Sequence, residues 1–370
     1  MKSTLHSFYF LLLLLFVPCA VDAQEKTNES LYFGATYTGD LVTNIKGGIK
    51  TGTAYLGMAT IDAGFDTEKA KWWKGGDAFV KLANTHGGEP TAHLVGDFQG
   101  VSNIEAGNLT WLYEFWYRQR FGNLSVTVGL QDLNVNFAAD ECAAGFTNSS
   151  FGIHSSIADN IPSPIFPLTA LGVNLNWDIS PSMVLKMAVF DGTPDDLENN
   201  PYNIHWQLSR EQGVLTVGEL QLNRSLFANK RGNYKIGGYF HQHNDSTNEE
   251  QQNGGIYFAG NQQITDKIDV FSQIGLSPKR NNHNHYYSIG LKYSDIFKNR
   301  PDDYMGMAVA YAGIDSNPNG GETVIEIIYQ CQICSNVYIR PDIQYIVNPA
   351  GTDQKLGNAL VAMMRFGVEF

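Results

Sequence analysis

Charge is scarce in this sequence. Asp, Glu, Lys and Arg make up 17% of its 370 residues, against roughly 25% in soluble domains. What charge there is leans acidic, with 37 acids against 25 bases and a formal net charge of -12. Such a chain repels a phosphate backbone, which argues against nucleic acid as a partner. Cysteine is equally sparse. Of four, Cys19 falls in an N-terminal leader, leaving Cys142, Cys331 and Cys334. An odd count excludes a full disulfide framework. Cys331 and Cys334 flank a predicted turn, where a zinc half-site would have no second pair, so a local disulfide or two free thiols is expected. Beyond the leader no apolar run is long enough for a membrane-spanning helix, so membrane residence requires a closed barrel. G-x-S-x-G and H-E-x-x-H are both missing, which removes the nucleophile-elbow hydrolases and the zincin peptidases.

The leader has Lys2, an apolar run from Phe8 to Val17, and Val21-Asp22-Ala23 before Gln24. It reads as a signal peptide over 1–23 that is removed on export. Residues 24–370 then form one domain.

Alternation fills that domain. In the last stretch Leu360, Ala362, Met364, Phe366, Val368 and Phe370 share one face, with Arg365 and Glu369 on the other. A period of two is a strand with one apolar and one wet side. Strands are predicted near 31–41, 52–66, 76–86, 109–121, 124–133, 169–178, 182–191, 213–224, 233–243, 255–263, 267–276, 284–294, 304–312, 322–331, 335–347 and 359–370. Alternate connections fall into a short set and a long set, the pattern of an outer-membrane barrel. The predicted fold is all-β, a transmembrane antiparallel β-barrel of about sixteen strands. Its longest loop, 134–168, contains a helical stretch over 149–160 and three prolines. A loop of this length in a compact fold is usually functional, and this extracellular one is expected to fold inward and narrow the channel.

Strand faces separate cleanly in places. Trp111, Tyr113, Phe115 and Tyr117 are assigned to one side of their strand, with Leu112, Glu114, Trp116, Arg118 and Arg120 on the other. Near the C-terminus, Tyr338, Arg340, Asp342 and Gln344 form a polar face, and Pro341 opposite them predicts a bulge.

Several runs carry a family resemblance. They are Tyr37-Thr38-Gly39-Asp40, the stretch from Gly47 to Gly57, Trp73-Lys74-Gly75-Gly76, Gly96-Asp97-Phe98-Gln99 and Val101-Ser102-Asn103-Ile104-Glu105-Ala106. Leu112-Tyr113-Glu114, Ser149-Ser150-Phe151-Gly152, Pro167-Leu168, Phe190-Asp191-Gly192, the stretch from Tyr338 to Tyr345 and the terminal Phe370 follow in order. In these the chain resembles the carbohydrate-selective OprB-type porins of bacterial outer membranes. The match is dense over 36–196 and in the last two strands, and sparse around 197–330. The resemblance implies a sixteen-stranded porin, monomeric or a homo-trimer, seated in outer-membrane lipid and passing glucose-type sugars by passive diffusion without a cofactor.

A neutral sugar offers hydroxyls and apolar C–H faces, so its pore needs exchangeable donors and acceptors beside an aromatic surface, with weak binding. The candidate lining residues are Glu114, Trp116, Arg118 and Arg120, then Arg340, Asp342 and Gln344, with Asp40, Tyr55 and Lys81 from the early strands. Trp72 and Trp73 read as interfacial anchors. Asp191, Asp195, Asp196 and Glu198 read as a solvated acidic loop rather than a calcium site. His241, His243, His283 and His285 read as exposed strand-end histidines. Two other classes are compatible with the residues: an enzyme built on a barrel wall, and a secreted β-rich carbohydrate-binding protein.

Overall fold

The computed structural model describes residues 29–226, 230–244, 249–315 and 320–370. The leader, 1–23, lies outside the described residues. Sixteen strands run in chain order: β1 Leu31–Gly48, β2 Gly52–Asp66, β3 Gly76–Gly87, β4 Leu109–Phe121, β5 Leu124–Gln131, β6 Ala170–Ser180, β7 Met183–Asp191 and β8 Val214–Asn223. They continue as β9 Gly232–Asn244, β10 Glu250–Gln263, β11 Ile268–Leu276, β12 His285–Ser294, β13 Tyr304–Gly313, β14 Gly321–Cys334, β15 Val337–Val347 and β16 Gly357–Glu369. Each pairs antiparallel with its chain neighbours, and β1 pairs with β16, so the sheet closes into a barrel. Every predicted strand is present; β1, β10 and β14 run longer than their alternation suggested.

The alternation becomes an inside and an outside. On β16, Met364 is 43% exposed on the outer wall while its neighbour Arg365 is 4% exposed inside. One rim has tight turns, such as Gly122-Asn123, where Gly122 takes φ 63 as a two-residue hairpin requires. The opposite rim carries the long connections 88–108, 132–169 and 192–213.

Two expectations about strand geometry are corrected. The bulge is not at Pro341. The β14–β15 register is the same at Ile328↔Asp342 and Cys331↔Ile339, and the shift comes later, between Gln332 and Cys334. Pro341 lacks only its own ladder donor. A bulge does occur on β4: Lys81 faces Glu114 while Leu82 faces Leu112, so Tyr113 is the extra residue. It flips the faces above it. Trp111 and Tyr113, assigned with Phe115, are instead buried inside at 2% and 6% exposure, and Leu112 turns outward. Cys142 and Cys331 are free thiols, so no bridge joins positions 331 and 334.

The apolar core lies between the inner wall and the loops that fold onto it. Leu133, Phe137 and Ile157 pack on Ala188, Leu215 and Val217. Phe146 and Phe151 pack on Phe271, Tyr286 and Ile328. Leu94, Val95 and Val101 pack on Val42, Leu56 and Ile346. Each such side chain contributes about 1.5–3 kcal/mol on full burial. Loops 88–108 and 132–169 are therefore structural parts of the interior rather than free caps.

Candidate functional site

The lumen is built from the inward residues that the loops leave uncovered, and the richest surface is on β3 and β4. Opposite residues of paired strands share a face, so Asp77, Phe79 and Lys81 meet Arg118, Trp116 and Glu114. Phe79 and Trp116 stack with centroids 5.0 Å apart and planes 24° apart. Lys81 Nζ lies 5.6 Å from the Phe79 centroid and Arg118 Cζ 5.4 Å from that of Trp116. Arg118 donates to Asp77 Oδ2 at 3.1 and 3.0 Å, and Arg120 approaches the same oxygen at 3.0 Å. Glu114 is almost fully buried beside them. An aromatic pair with a cation over each ring offers both a C–H contact surface and flanking donors. Phe79 was not singled out from the sequence, although it lies between Asp77 and Lys81 on their face.

The second half of the candidate set holds the loops. Asp40 sits opposite Arg365 across the β1–β16 seam and is fully buried. Its two oxygens accept from Arg365 Nε and Nη2, each at 2.7 Å, and Oδ2 also accepts from Ser102 Oγ at 2.7 Å. Gln344 is fully buried, donating to Val101 O at 2.9 Å and accepting from Asn148 Nδ2 at 3.2 Å. Asp342 accepts from Gln344 Nε2 at 3.3 Å. Arg340 donates to Tyr304 Oη at 3.0 Å and to Gln330 Oε1 from Nε at 3.1 Å. It lines a cavity of about 290 Å³ with Tyr338 and Lys292; Lys292 and Glu141 also line a neighbouring cavity of about 620 Å³.

Tyr55 is misplaced in the sequence reading. It pairs with Leu41 on the outer wall and hydrogen-bonds Tyr37 there. Its neighbour Leu56 faces in, where residues 91–95 cover it. A loop packed on the inner wall makes that face apolar and reverses the usual sign of the pattern.

Loop 132–169 is fastened by wall carboxylates that the sequence did not mark. Glu219 accepts from Ala138 N at 2.8 Å and Tyr257 Oη at 2.7 Å. Glu326 accepts from Thr147 N at 2.6 Å and Asn148 N at 3.0 Å. Glu322 does the same for loop 88–108, through Phe98 N at 2.8 Å and Gln99 N at 2.9 Å. Tyr286 and Gln273 donate to loop carbonyls, and Lys186 Nζ donates to Asn136 O at 3.0 Å. Within the loop, burial holds the His154 imidazole down to about 3. Burial lifts the Asp132 carboxyl to about 6, although Tyr113 and the Asn134 amide donate to it.

The remaining motifs resolve simply. Trp73 donates to Tyr117 Oη at 2.9 Å on the short-turn rim. His241 is fully buried and bonded to Gly192 O at 2.6 Å, not exposed as expected, because loop 192–213 folds over the strand end. Asp196 accepts from its own loop at Glu198 N, 2.8 Å. Among the described residues no three His, Cys, Asp or Glu side chains converge to hold a metal ion.

Comparison with known proteins agrees with this architecture. The profile of the carbohydrate-selective porin, OprB family, matches residues 50–370. Porin B of Pseudomonas aeruginosa is 23% identical over 94% of this chain and 89% of its own length. A putative porin, QuiX, of Acinetobacter baylyi is 21% identical over 94% and 91%. The high-pH structure of Pseudomonas putida OprB superposes with a TM-score of 0.82 at 20% identity, covering 92% of this chain and 94% of that one. These relatives are channels rather than enzymes. With most of its length matched and its barrel closed, the chain belongs to the carbohydrate-selective OprB family of outer-membrane porins.

Proposed function

We propose that the barrel is a passive pore for glucose-type monosaccharides, narrowed by loop 132–169 and lined for sugar along β3 and β4. The leader 1–23 would direct export and be removed. The observation that supports this reading best is the stacked Phe79–Trp116 pair facing the lumen between Lys81 and Arg118. A pyranose presents a C–H face to such rings while its hydroxyls exchange water for Arg118 and Lys81. Weak, multi-point contact suits conduction, which requires release as much as entry. Asp77 holds Arg118 and Arg120 together and keeps the guanidinium of Arg118 over the indole. Asp40, Asp342 and Gln344 serve the pore indirectly, as anchors of the loops that shape it.

The test is single-channel conductance of the refolded barrel in a planar bilayer, titrated with glucose and with a disaccharide. Saturable block by glucose that weakens in Trp116→Ala and Phe79→Ala is the expected result. Stable channels indifferent to sugar would leave a general porin and discard the β3–β4 site. Correctly folded protein that conducts nothing would overturn the passive-pore reading and bring a wall-borne hydrolase forward.

A further inference from the structure

Loop 192–213 does something the pore does not require. It crosses from the inside of the barrel to the outside. Leu197 packs on Trp111 and Tyr113, inside. Trp206 stacks on Phe115, outside, with centroids 6.3 Å apart and planes 22° apart.

The wall explains why. β5 ends at Gln131, opposite the middle of β4, so β4 above Phe115 has a strand neighbour only on its β3 side. That leaves an open edge at Leu112, just beyond the bulge. The loop closes it. Tyr202 O accepts from Leu112 N at 3.1 Å, and Asn203 Nδ2 donates to Leu112 O at 3.1 Å. Asn203 takes φ 51, a left-handed turn that Asn tolerates, and its amide also reaches Thr169 Oγ1 at 2.9 Å. Trp206 Nε1 donates back to Asn203 O at 2.9 Å.

Burial shows which side the strap lies on. Leu130 pairs with Phe115 and shares its outward face. Outward neighbours Phe115, Val128 and Val173 are 50%, 50% and 47% exposed, yet Leu130 is 1% exposed. Asn203, Trp206, Gln207 and Leu171 line a small cavity together with it. The strap exposes Tyr202, Ile204 and Leu208 at 62%, 54% and 72%, with His205 and Gln207 also exposed between them. Depth follows from the strand. Phe115 is six residues above Phe121 on the short-turn rim. At about 3.3 Å per residue and a tilt near 40°, that is about 15 Å up an apolar band about 25 Å tall, and Leu112, three residues higher, lies about 23 Å up, just inside its upper edge.

We propose that residues 202–208 form an outer strap embedded in the bilayer, with Tyr202, Ile204, Trp206 and Leu208 contacted by lipid acyl chains. The occupant is hydrocarbon because the strap continues the exposed apolar wall of Phe115, Val128 and Val173. Its role is to satisfy the Leu112 backbone where lipid offers no partner. The inference rests on the outer-membrane placement and not on sugar passage.

Trp206 is its own probe. The full barrel and its Trp206→Phe variant are reconstituted in phosphatidylcholine vesicles with plain or brominated acyl chains, and the difference emission is taken. The expected result is loss of most of that emission in brominated lipid, with no quenching by aqueous iodide. Quenching by iodide but not bromine would place the strap in water and overturn the proposal. Protection from both would place it against protein, such as a second copy, and also overturn it. Trp177, an outward residue of β6 that is 45% exposed, is read the same way through Trp177→Phe. Bromine quenching of Trp177 without quenching of Trp206 would reject the strap while leaving the barrel in the membrane. Unheated gel mobility confirms folding of each variant. Leu208→Trp in the Trp206→Phe background supplies a second reporter, expected to be quenched by bromine as well.

Discussion

A single inserted residue, Tyr113, decides which aromatic rings face the barrel interior. Below it the sequence alternates Glu114, Trp116, Arg118 and Arg120 inward, as expected. Above it the parity flips, and Trp111 joins the inside. Strict alternation carries no mark of a bulge, so the lower half of β4 was legible and the upper half was not. Phe79 was readable in principle from its place between two charges, but an isolated Phe on a polar face is easily assigned to packing. Tyr55 and Gln344 were misjudged for a common reason: a polar residue suggests a wet face only where no loop covers the wall. At this scale the expected outcome is specific. Trp116→Ala and Phe79→Ala should each weaken glucose block by about two- to tenfold, since an aromatic contact is worth about 0.5–1.5 kcal/mol. Arg118→Ala should weaken block, with Arg120 still paired to Asp77, while Tyr55→Phe on the outer wall should leave block unchanged. Titration of ion-current block separates these four variants.

The loops are the elements that alternation describes least, because their positions are set by distant acceptors on the wall. The inward course of loop 134–168 was expected from its length; that of loop 88–108 was not. Their fastening by Glu219, Glu322 and Glu326 was not, since each acts on backbone amides that look alike in any sequence. Glu326→Gln keeps the shape but gives up one of two accepting oxygens, leaving an amide of Thr147 or Asn148 unmet at a cost of about 1–3 kcal/mol. Larger conductance and noisier open-channel current are expected, read in single-channel records. His154 supplies a pH dependence. It is fully buried between Tyr257 and Tyr286, and its imidazole titrates near 3 rather than the ordinary 6.5. The unfolded or detached loop therefore takes up a proton that the docked loop refuses. Docking is at full strength above about 6.5 and weakens as pH falls toward 3. Asp132, lifted to about 6, acts oppositely: its ionised form is the disfavoured one when docked, so lowering the pH relieves it. The two are separated by comparing wild type with His154→Gln, which should retain quieter channels at pH 4. Equal acid-induced noise in both would exclude His154 as the source.

At the scale of the whole molecule, strand number, order and the inequality of the two rims were all legible. They depend on period and spacing, which survive extensive change of residues, as the 20% identity at a TM-score of 0.82 illustrates. The closing seam carries a further expectation. Asp40 and Arg365 are 0% and 5% exposed in their side chains, and no other carboxylate pairs with Arg365 among the described residues. Arg365→Ala should cost about 3–5 kcal/mol by leaving a buried carboxylate alone, whereas replacing both partners should cost far less. Urea unfolding of the two variants measures the difference. That ion pair has a temporal meaning as well. Asp40 is made early in synthesis and Arg365 325 residues later, and Arg365 Nη2 also holds Asn103 Oδ1 of loop 88–108 at 2.8 Å. Without Arg365, Asp40 loses its cation and loop 88–108 loses one of its ties, while Glu322 still holds Phe98 and Gln99. Asp40 thus stays uncompensated until β1 and β16, distant in sequence, meet at the seam.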